Sequence, residues 1–311
     1  MKTHSSAHTF TSKKETVVTI GTFDGVHVGH KKIISRLIES AQANDWESAV
    51  LTFFPHPRMV LQKDADIKLI NTIDERGALL DTLGLDHLVV HPFTVDFSRM
   101  HAEDFVEEIL VNALQAKKVI IGYDHRFGRN RNADIEDLKR FGIQFGFEVE
   151  EISKQELEDV AISSTKIRKA LKEGDIQKAN RYLGYPIMLQ GDVIHGKKLG
   201  KTLGYPTANL KISEDYKLIP GQGVYVVQSV IDGRLVYGMM NIGTNPTVGG
   251  LDQTIETYFL DFDADLYGKY LSIEVLCPIR EEKNFDSVEV LIEAMQEDEV
   301  FSRNYIQSIP D

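Results

Sequence analysis

The first half of the chain alternates short apolar runs with longer stretches in which apolar residues recur every three or four positions. An apolar run bounded by polar residues predicts a buried strand, and the longer spacing predicts an amphipathic helix. Strands are predicted at residues 16–20, 48–54, 88–90, 119–122 and 147–152. Helical spacing fills the intervals, as in residues 102–116, and Thr72 with Glu75 forms a capping-box pattern. Strands that alternate with helices predict a doubly wound parallel sheet, which binds ligands at the carboxyl ends of its strands.

Near residue 184 the pattern changes to apolar runs with no helical spacing between them. These runs cover residues 187–194, 224–231, 235–242, 254–262 and 271–279. Asp232-Gly233 separates two of them and is a strong hairpin signal. An amphipathic stretch, residues 287–306, closes the chain. We therefore predict an α/β protein of two domains: residues 1–184 form a Rossmann-like sheet domain, and residues 185–311 form an antiparallel β-barrel with a terminal helix.

The length of the chain agrees with two domains, and its composition limits the classes of molecule that it can bind. A chain of 311 residues exceeds one typical core. A net charge of −12 would repel nucleic acid, so an anionic ligand needs a local basic cluster. The single cysteine, Cys277, excludes an internal disulfide framework and lies in an apolar run, which favours a place in the core. No apolar run is long enough to span a membrane, and no hydrophobic signal segment is present, so we expect a cytoplasmic protein. We expect it to act on small molecules and to bind neither nucleic acid nor membrane. We also expect a monomer or a weak homo-oligomer.

The stretch TIGTFDGVHVGHKK, residues 19–32, joins the end of the first strand to the start of the first helix. Backbone N–H groups and the positive end of the helix dipole point into such a turn, which makes it a place for phosphates. Gly29 lets the backbone approach closely, and His27 and His30 can donate to phosphate oxygens. One histidine alone would more often be an ordinary polar loop residue. In this context the His-x-Gly-His pattern resembles the signature of the nucleotidyltransferase superfamily, which transfers AMP or CMP to a phosphate or carboxylate.

Basic residues gather in two later segments of the first half. The motif SSTKIR, residues 163–168, is predicted to open a helix with its serines and threonine as caps. Arg168 follows the cap by one helical turn, so we expect it to face the same phosphates as the cap's N–H groups. The other segment contains Arg126, Arg129 and Arg131. Each of the two segments could instead be a basic surface exposed to solvent. Transfer of AMP between phosphates needs no covalent intermediate, so alignment and charge stabilisation by such residues and Mg²⁺ suffice.

The second half has its own polar cluster. Residues 191–209, GDVIHGKKLGKTLGYPTAN, contain two near misses to a P-loop, but Pro206 prevents the helix that a P-loop opens. Thr207 and Asn209 are two residues apart, which puts their oxygens on one side if the segment is extended, and both suit Mg²⁺. Glu256 interrupts an apolar run. It lies either on the solvent face of a strand or in position to accept a proton from an alcohol that attacks ATP.

Both halves together resemble one family, the bacterial bifunctional riboflavin kinase/FAD synthetases. In the first half the resemblance rests on TIGTFDGVHVGH, TFFPHP at residues 52–57, GYDHRFG at residues 122–128, and SSTKIR. In the second half it rests on LGKTLGYPTAN, PGQGVYVV, NIGTNPTVGG, IETYFLDF and LYGKYLSIE, in that order from residue 199 to residue 274. His-x-Gly-His alone would indicate only a superfamily, but the ordered set of motifs is far more specific.

The resemblance implies two ATP-dependent steps and the residues that carry them. The C-terminal domain would phosphorylate riboflavin to FMN with Mg²⁺-ATP, and the N-terminal domain would join FMN to AMP, giving FAD and pyrophosphate. Motif positions assign catalysis to Glu256, as the kinase base, and to His27, His30 and Arg168. They assign ATP and phosphate contacts to Gly21, Phe23, Gly29, Ser163, Ser164, Thr165, Gly196, Lys201, Thr207 and Asn209, with Thr207 and Asn209 also on the metal. They assign the flavin to Phe54, His56, Asp124, Arg126 and Phe127.

The chain departs from the family pattern at His125, which replaces an aromatic residue, and at Asn132-Ala133, which replaces a glycine. Both departures concern flavin contacts in the first domain. Three other functions stay open on the sequence: an enzyme with only one of the two activities, a flavin-binding regulator without turnover, and a cytidylyltransferase with a barrel appended.

Overall fold

The computed structural model describes residues 1–62, 66–123, 125–153, 162–196, 204–247 and 250–309. The chain divides into two compact units, Met1–Ser164 and Thr165–Asp311. The helical residues that follow Ser164 therefore group with the second unit. The domain boundary near residue 184 stays a prediction of the sequence pattern.

The first unit is built on a parallel sheet of six strands, in the order β1-β4-β3-β2-β5-β6. The strands are β1 Lys2–His4, β2 Thr16–Ile20, β3 Glu47–Phe54, β4 His87–Pro92, β5 Ala116–Gly122 and β6 Glu148–Ile152. The helices are α1 Val28–Ala43, α2 Pro57–Leu61, α3 Ile73–Thr82, α4 Phe105–Ala113 and α5 Ile135–Phe145. The buried apolar residues form two separate clusters. Val18 of β2 belongs to one cluster and its neighbour Val17 to the other, as expected for a strand covered on both faces. The predicted doubly wound parallel sheet is confirmed.

Strand β1 was not predicted. It runs parallel to β4, with Lys2 opposite His87 and His4 opposite Val89. The ring of His4 is buried, and its Nε2 lies 3.0 Å from Nδ1 of His87. A strand of three residues with polar side chains has no apolar run, so its pairing depends on contacts that only the folded chain brings together.

The helix predicted to extend to residue 116 ends earlier. It begins with one α-helical turn, Ala102–Asp104, and continues as the π-helix α4, which buries Phe105, Val106, Ile109 and Leu110. Gln115 has a positive φ of 54°, which turns the chain, and Ala116 already belongs to β5. The prediction of helix at Ala116 is wrong because apolar periodicity continues past the point where the backbone reverses.

The second unit contains a closed antiparallel barrel in the order β10-β11-β8-β7-β12-β9. Its strands are β7 Ile187–Ile194, β8 Ala208–Lys211, β9 Gly223–Ile231, β10 Arg234–Thr247, β11 Gly250–Phe259 and β12 Tyr270–Arg280. Helices α6 Ser164–Lys172 and α7 Ile176–Leu183 precede it, and α8 Val288–Gln307 follows. The predicted barrel and terminal helix are confirmed.

Two local features explain how the barrel forms. Asp232 and Gly233 have positive φ angles of 50° and 80° and join β9 to β10, so the predicted hairpin is confirmed. Strand β8 was not predicted, because four residues are too few for a periodic signal; it pairs with β7 and β11 and thereby helps to close the barrel. Cys277 is buried in β12, as expected. None of the helices among the described residues combines the length and apolarity that a bilayer crossing requires.

Candidate functional site

The turn between β2 and α1 lies where the strand order of the sheet reverses. The chain passes from β2 to β3 on one side and reaches β5 on the other, and a crevice at such a point is where doubly wound sheets bind ligands. Phe23, Gly25 and Val26 all have positive φ angles, so the turn is tightly wound. A Cβ at Gly21 would lie 2.9 Å from the ring of Phe23, so a glycine is needed for this packing.

The two histidines of the turn form one stacked pair. Their ring centroids are 3.6 Å apart with an interplanar angle of 16°. Nδ1 of His27 accepts a hydrogen bond of 3.3 Å from the backbone N–H of His30, which makes His27 the N-cap of α1. Nδ1 of His30 is buried and, among the described residues, has no hydrogen-bond partner. Gly29 allows the stacking, because a Cβ there would lie 3.2 Å from the His27 ring.

Burial decides the charge of this pair. Only 6% of His27 is exposed, and desolvation lowers its pKa to about 4, against the opposing influence of Asp24. Burial lowers the pKa of His30 well below its ordinary value, and the charges of His27 and Arg76 lower it further. Both rings are therefore neutral near pH 7 and can each offer one N–H to an oxygen.

A buried ion pair, Asp24 with Arg76, belongs to the same turn. Asp24 Oδ1 lies 3.5 Å from Arg76 Nη2, and both side chains are at most 1% exposed. Neither residue was assigned a role from the sequence. The sequence did contain a signal that Arg76 is buried: it stands one helical turn before Leu80, on the inward face of α3.

The motif SSTKIR reaches the turn through its second serine. Ser164 Oγ donates a hydrogen bond of 2.9 Å to the backbone oxygen of Asp24, and α6 begins at this residue, as predicted. Ser163 and Thr165 are exposed, and Arg168 is half-buried on α6 in the second unit. The structure thus brings Ser164 to the histidine turn, and the contact predicted for Arg168 stays a prediction.

The residues assigned to the flavin follow β3 and β5, at the carboxyl edge of the sheet. Phe54 is half-buried at the end of β3, and His56 caps α2 by accepting from the N–H of Arg58 at 3.2 Å. Arg126 is half-exposed, 3.9 Å from Asp134. Phe127 is buried in the apolar core, with its ring centroid 5.9 Å from that of Phe105. Asp124 lies outside the described residues.

In the barrel, four of the predicted residues converge. Glu256 on β11 is the register partner of Asn209 on β8, so the two side chains share a face of the sheet. Thr207 Oγ1 donates a hydrogen bond of 3.1 Å to Glu256 Oε2. A Cβ on Gly196 would lie 2.3 Å from Nδ2 of Asn209, so the backbone passes directly beside this amide. Lys201 lies outside the described residues.

A fourth polar side chain joins this row. Asn241 on β10 is the register partner of Glu256 from the other side, so the carboxylate stands between two amides, Asn209 and Asn241. The sequence motif NIGTNPTVGG begins with this residue, but no role was assigned to it.

The donor set in the barrel fits Mg²⁺. The hydroxyl of Thr207 and the amide oxygen of Asn209 are hard ligands, and the Asn209 amide lies where a Cβ on Gly196 would collide with it, so glycine leaves room for this amide. The described residues contain no group of three or more His, Cys, Asp or Glu side chains able to hold a metal. A site of this composition agrees with the usual coordination of Mg²⁺, which is bound by one or two side chains together with substrate phosphates.

The first unit has a doubly wound sheet with a His-x-Gly-His turn, and the second has a barrel with a hydroxyl–amide–carboxylate cluster. Together these features define the class of the protein as a two-part transferase that acts on nucleotide phosphates. Sequence comparison agrees: a family described as FAD synthetase matches residues 9–166, and a family described as riboflavin kinase matches residues 183–306. The chain belongs to the bifunctional riboflavin kinase/FMN adenylyltransferase family.

Relatives with that printed name cover the whole chain or most of it. One from Listeria monocytogenes is 38% identical over 100% of both chains, and one from Escherichia coli K12 is 33% identical over 93% of this chain and 92% of its own. A solved structure titled macrolide-efflux protein from Streptococcus pneumoniae is 31% identical and superposes with a TM-score of 0.88, covering 97% of this chain and 98% of that one.

Proposed function

We propose that this chain makes FAD from riboflavin in two steps. The second unit transfers the γ-phosphoryl group of ATP to the 5′-hydroxyl of riboflavin, giving FMN and ADP. The first unit then transfers AMP from a second ATP to the phosphate of FMN, giving FAD and pyrophosphate. The observation that carries this proposal is the presence of two separate polar clusters, one suited to a neutral alcohol and one to an anionic phosphate, in a chain of this family.

In the kinase step, Glu256 accepts the proton of the hydroxyl as its oxygen bonds to the γ-phosphorus and the bond to the β-phosphate breaks. Support comes from the hydrogen bond between Glu256 and Thr207, which orients the carboxylate beside the phosphate ligands. Thr207 and Asn209 would hold Mg²⁺, which supplies charge neutralisation for the phosphates when bound. Asn241 and Asn209 are the register partners of Glu256 on its two sides, so both amides share a face of the sheet with the carboxylate.

In the adenylyltransferase step, the attacking FMN phosphate is already ionised, so no base is required. Its oxygen bonds to the α-phosphorus of ATP, and pyrophosphate departs. The neutral rings of His27 and His30, the N–H groups at the start of α1 and Ser164 stabilise the phosphates, with Arg168 as a further cation. Gly21, Phe23 and Gly29 shape the turn, and Phe54, His56 and Arg126 are proposed to contact the flavin.

The test is a time course with purified full-length protein, riboflavin and Mg²⁺-ATP, with flavins separated by chromatography. FMN should form first and FAD should follow, with ADP and pyrophosphate as the other products. A second reaction with FMN and Mg²⁺-CTP should give no cytidine-containing flavin dinucleotide. Formation of neither FMN nor FAD would contradict the proposal, and tight flavin binding without ATP consumption would indicate a regulator. The cytoplasmic location and the monomeric or weakly associated state remain predictions.

A further inference from the structure

Arg76 and Asp24 form a charged pair beneath the histidine turn that the two steps above do not use. Arg76 is 1% exposed and Asp24 is fully buried, although removing such groups from water is costly unless each gains partners. Arg76 comes from α3, whereas Asp24 is only three residues before His27. The pair therefore joins a helix outside the motif to the turn that carries the two imidazoles.

The partners of the pair tie several segments to this turn. Asp24 accepts hydrogen bonds of 3.2 Å from the backbone N–H groups of Ile70 and Asn71, just before α3. Arg76 Nη1 donates to Thr52 Oγ1 at 3.4 Å, and that hydroxyl donates to the backbone oxygen of Thr22 at 3.2 Å. Arg76 thus reaches the turn by two routes, directly at Asp24 and through Thr52 at Thr22.

The backbone of Asp24 extends the connection to the third motif. Its oxygen accepts the hydrogen bond from Ser164 Oγ, at 2.9 Å. A displacement of Asp24 would consequently move both the His-x-Gly-His turn and its contact with Ser164. Misplacement of phosphate-binding groups by even 1 Å can cost about 100-fold in rate.

Charge gives Arg76 a second effect. Among the described residues, the charged groups that act on the stacked rings include Asp24 in the same turn, which favours protonation of His27, and Arg76 on α3, which opposes protonation of His30. The positive charge of Arg76 opposes protonation of His30, and stacking at 3.6 Å opposes a second charge on the pair. Arg76 therefore helps to keep His30 in the neutral form, which donates a single N–H.

We propose that Arg76 is a positioning residue of the adenylyltransferase site, which fixes Asp24 and through it the turn of His27 and His30. This inference rests on the proposed adenylyltransferase function. Arg76 has no assigned contact with substrate, and its effect on the reaction is exerted through the groups that it holds.

The test uses the full-length chain with Arg76→Lys, which keeps the charge but loses the planar fork, and Arg76→Met, which loses both. Arg99→Met is the matched control, because Arg99 is an exposed arginine of the same unit whose ion pair, with Asp96, is also exposed. Each variant is assayed for adenylylation of FMN and for phosphorylation of riboflavin, and its folding is followed by thermal unfolding. NMR of isotope-labelled histidines measures the protonation midpoints of the imidazoles without substrate.

We expect both Arg76 variants to lower kcat for adenylylation by about 100-fold, with riboflavin phosphorylation unchanged. Removing a positive neighbour favours protonation, so the midpoint of His30 should rise in Arg76→Met and stay in place in Arg76→Lys. Arg99→Met should match the unmodified chain in every measurement.

Two results would overturn the inference. One is unchanged adenylylation in Arg76→Lys and Arg76→Met. The other is activity that falls only in step with unfolding, with unmoved histidine midpoints, which would indicate a purely structural role. Absence of FAD formation by the unmodified chain would instead contradict the proposed function, and the NMR midpoints would still report whether Arg76 acts on the rings.

Discussion

The roles proposed for Glu256 and His30 answer opposite chemical needs, because an alcohol must lose a proton as it attacks whereas an ionised phosphate has none to lose. Glu256 stands on β11 with Thr207 and Asn209 beside it. His30 is stacked on His27 at the start of α1. Since the two residues lie in different compact units, each can be changed without removing the other's chemistry.

Glu256→Gln should lower the rate of riboflavin phosphorylation by roughly 10²–10⁴-fold, the usual range for a general base. The amide keeps the size of the side chain and can still accept from Thr207, but it cannot take the proton. FAD formation from added FMN should be unchanged. Glu274→Gln is the control, because that carboxylate lies on β12 and bonds to Gln228 instead. Normal FMN production by Glu256→Gln would contradict the assignment.

His30→Ala should lower adenylylation of FMN by about 10²–10³-fold, the loss typical of removing one donor to a developing charge. Phosphorylation of riboflavin by the same preparation should continue, so FMN should accumulate. His8→Ala serves for comparison, because His8 is exposed and lies outside the turn. Accumulation of FAD at the original rate would show that the imidazole takes no part.

At the scale of elements, the positions of strands and helices depend on pairing with neighbouring backbone as much as on apolar periodicity. The long strands and helices were predictable because their apolar residues repeat with a fixed period. Strands β1 and β8 were not, since three or four residues carry no period and are fixed by their neighbours. Strand β8 is part of the proposed kinase site, because its register sets Asn209 opposite Glu256.

Gly196→Ala tests the placement of the Asn209 amide beside Glu256. A Cβ would lie 2.3 Å from the amide of Asn209, which is the far end of a flexible side chain, so the amide should move and the barrel should remain folded. We expect KM for ATP in riboflavin phosphorylation to rise about tenfold, equivalent to about 1.4 kcal/mol, the scale of one lost hydrogen bond. FAD formation from FMN should not change.

The control is Gly77→Ala, since a Cβ at Gly77 would meet its nearest atom at an ordinary 3.6 Å. Steady-state kinetics and thermal unfolding of both variants distinguish displacement of Asn209 from general damage. Equal KM values in the two variants would show that Gly196 does not shape the phosphate site.

At the scale of the whole molecule, the two units should respond differently to acid. Nine of the ten histidines lie in the first unit, and only His195 lies in the second. Burial lowers the pKa of His27 and of His91 to about 4, while the unfolded chain binds these protons near pH 6.5. The free energy of unfolding of the first unit should therefore fall as the pH drops from about 6.5 to about 4, and it should gain nothing from these groups above that window.

Each of these two histidines should cost the first unit about 2 kcal/mol between pH 7 and pH 5. Urea unfolding at several pH values, followed by the fluorescence of Trp46 in the first unit, measures the loss. His91→Leu should make the pH dependence shallower. A first unit with the same unfolding free energy at pH 7 and pH 5 would contradict the neutral, buried state of these rings.

The sequence by itself determined the elements with repeating apolar residues, the two kinds of sheet, and the motifs that carry phosphate chemistry. These are local properties, since a period, a glycine turn or a capping box is written in neighbouring residues. Only the tertiary structure decided that Thr207, Asn209 and Glu256 meet, because their encounter depends on strand register. It also decided that Asp24 and Arg76 pair beneath the histidines, because the two residues are 52 positions apart along the chain and only folding buries their charges side by side.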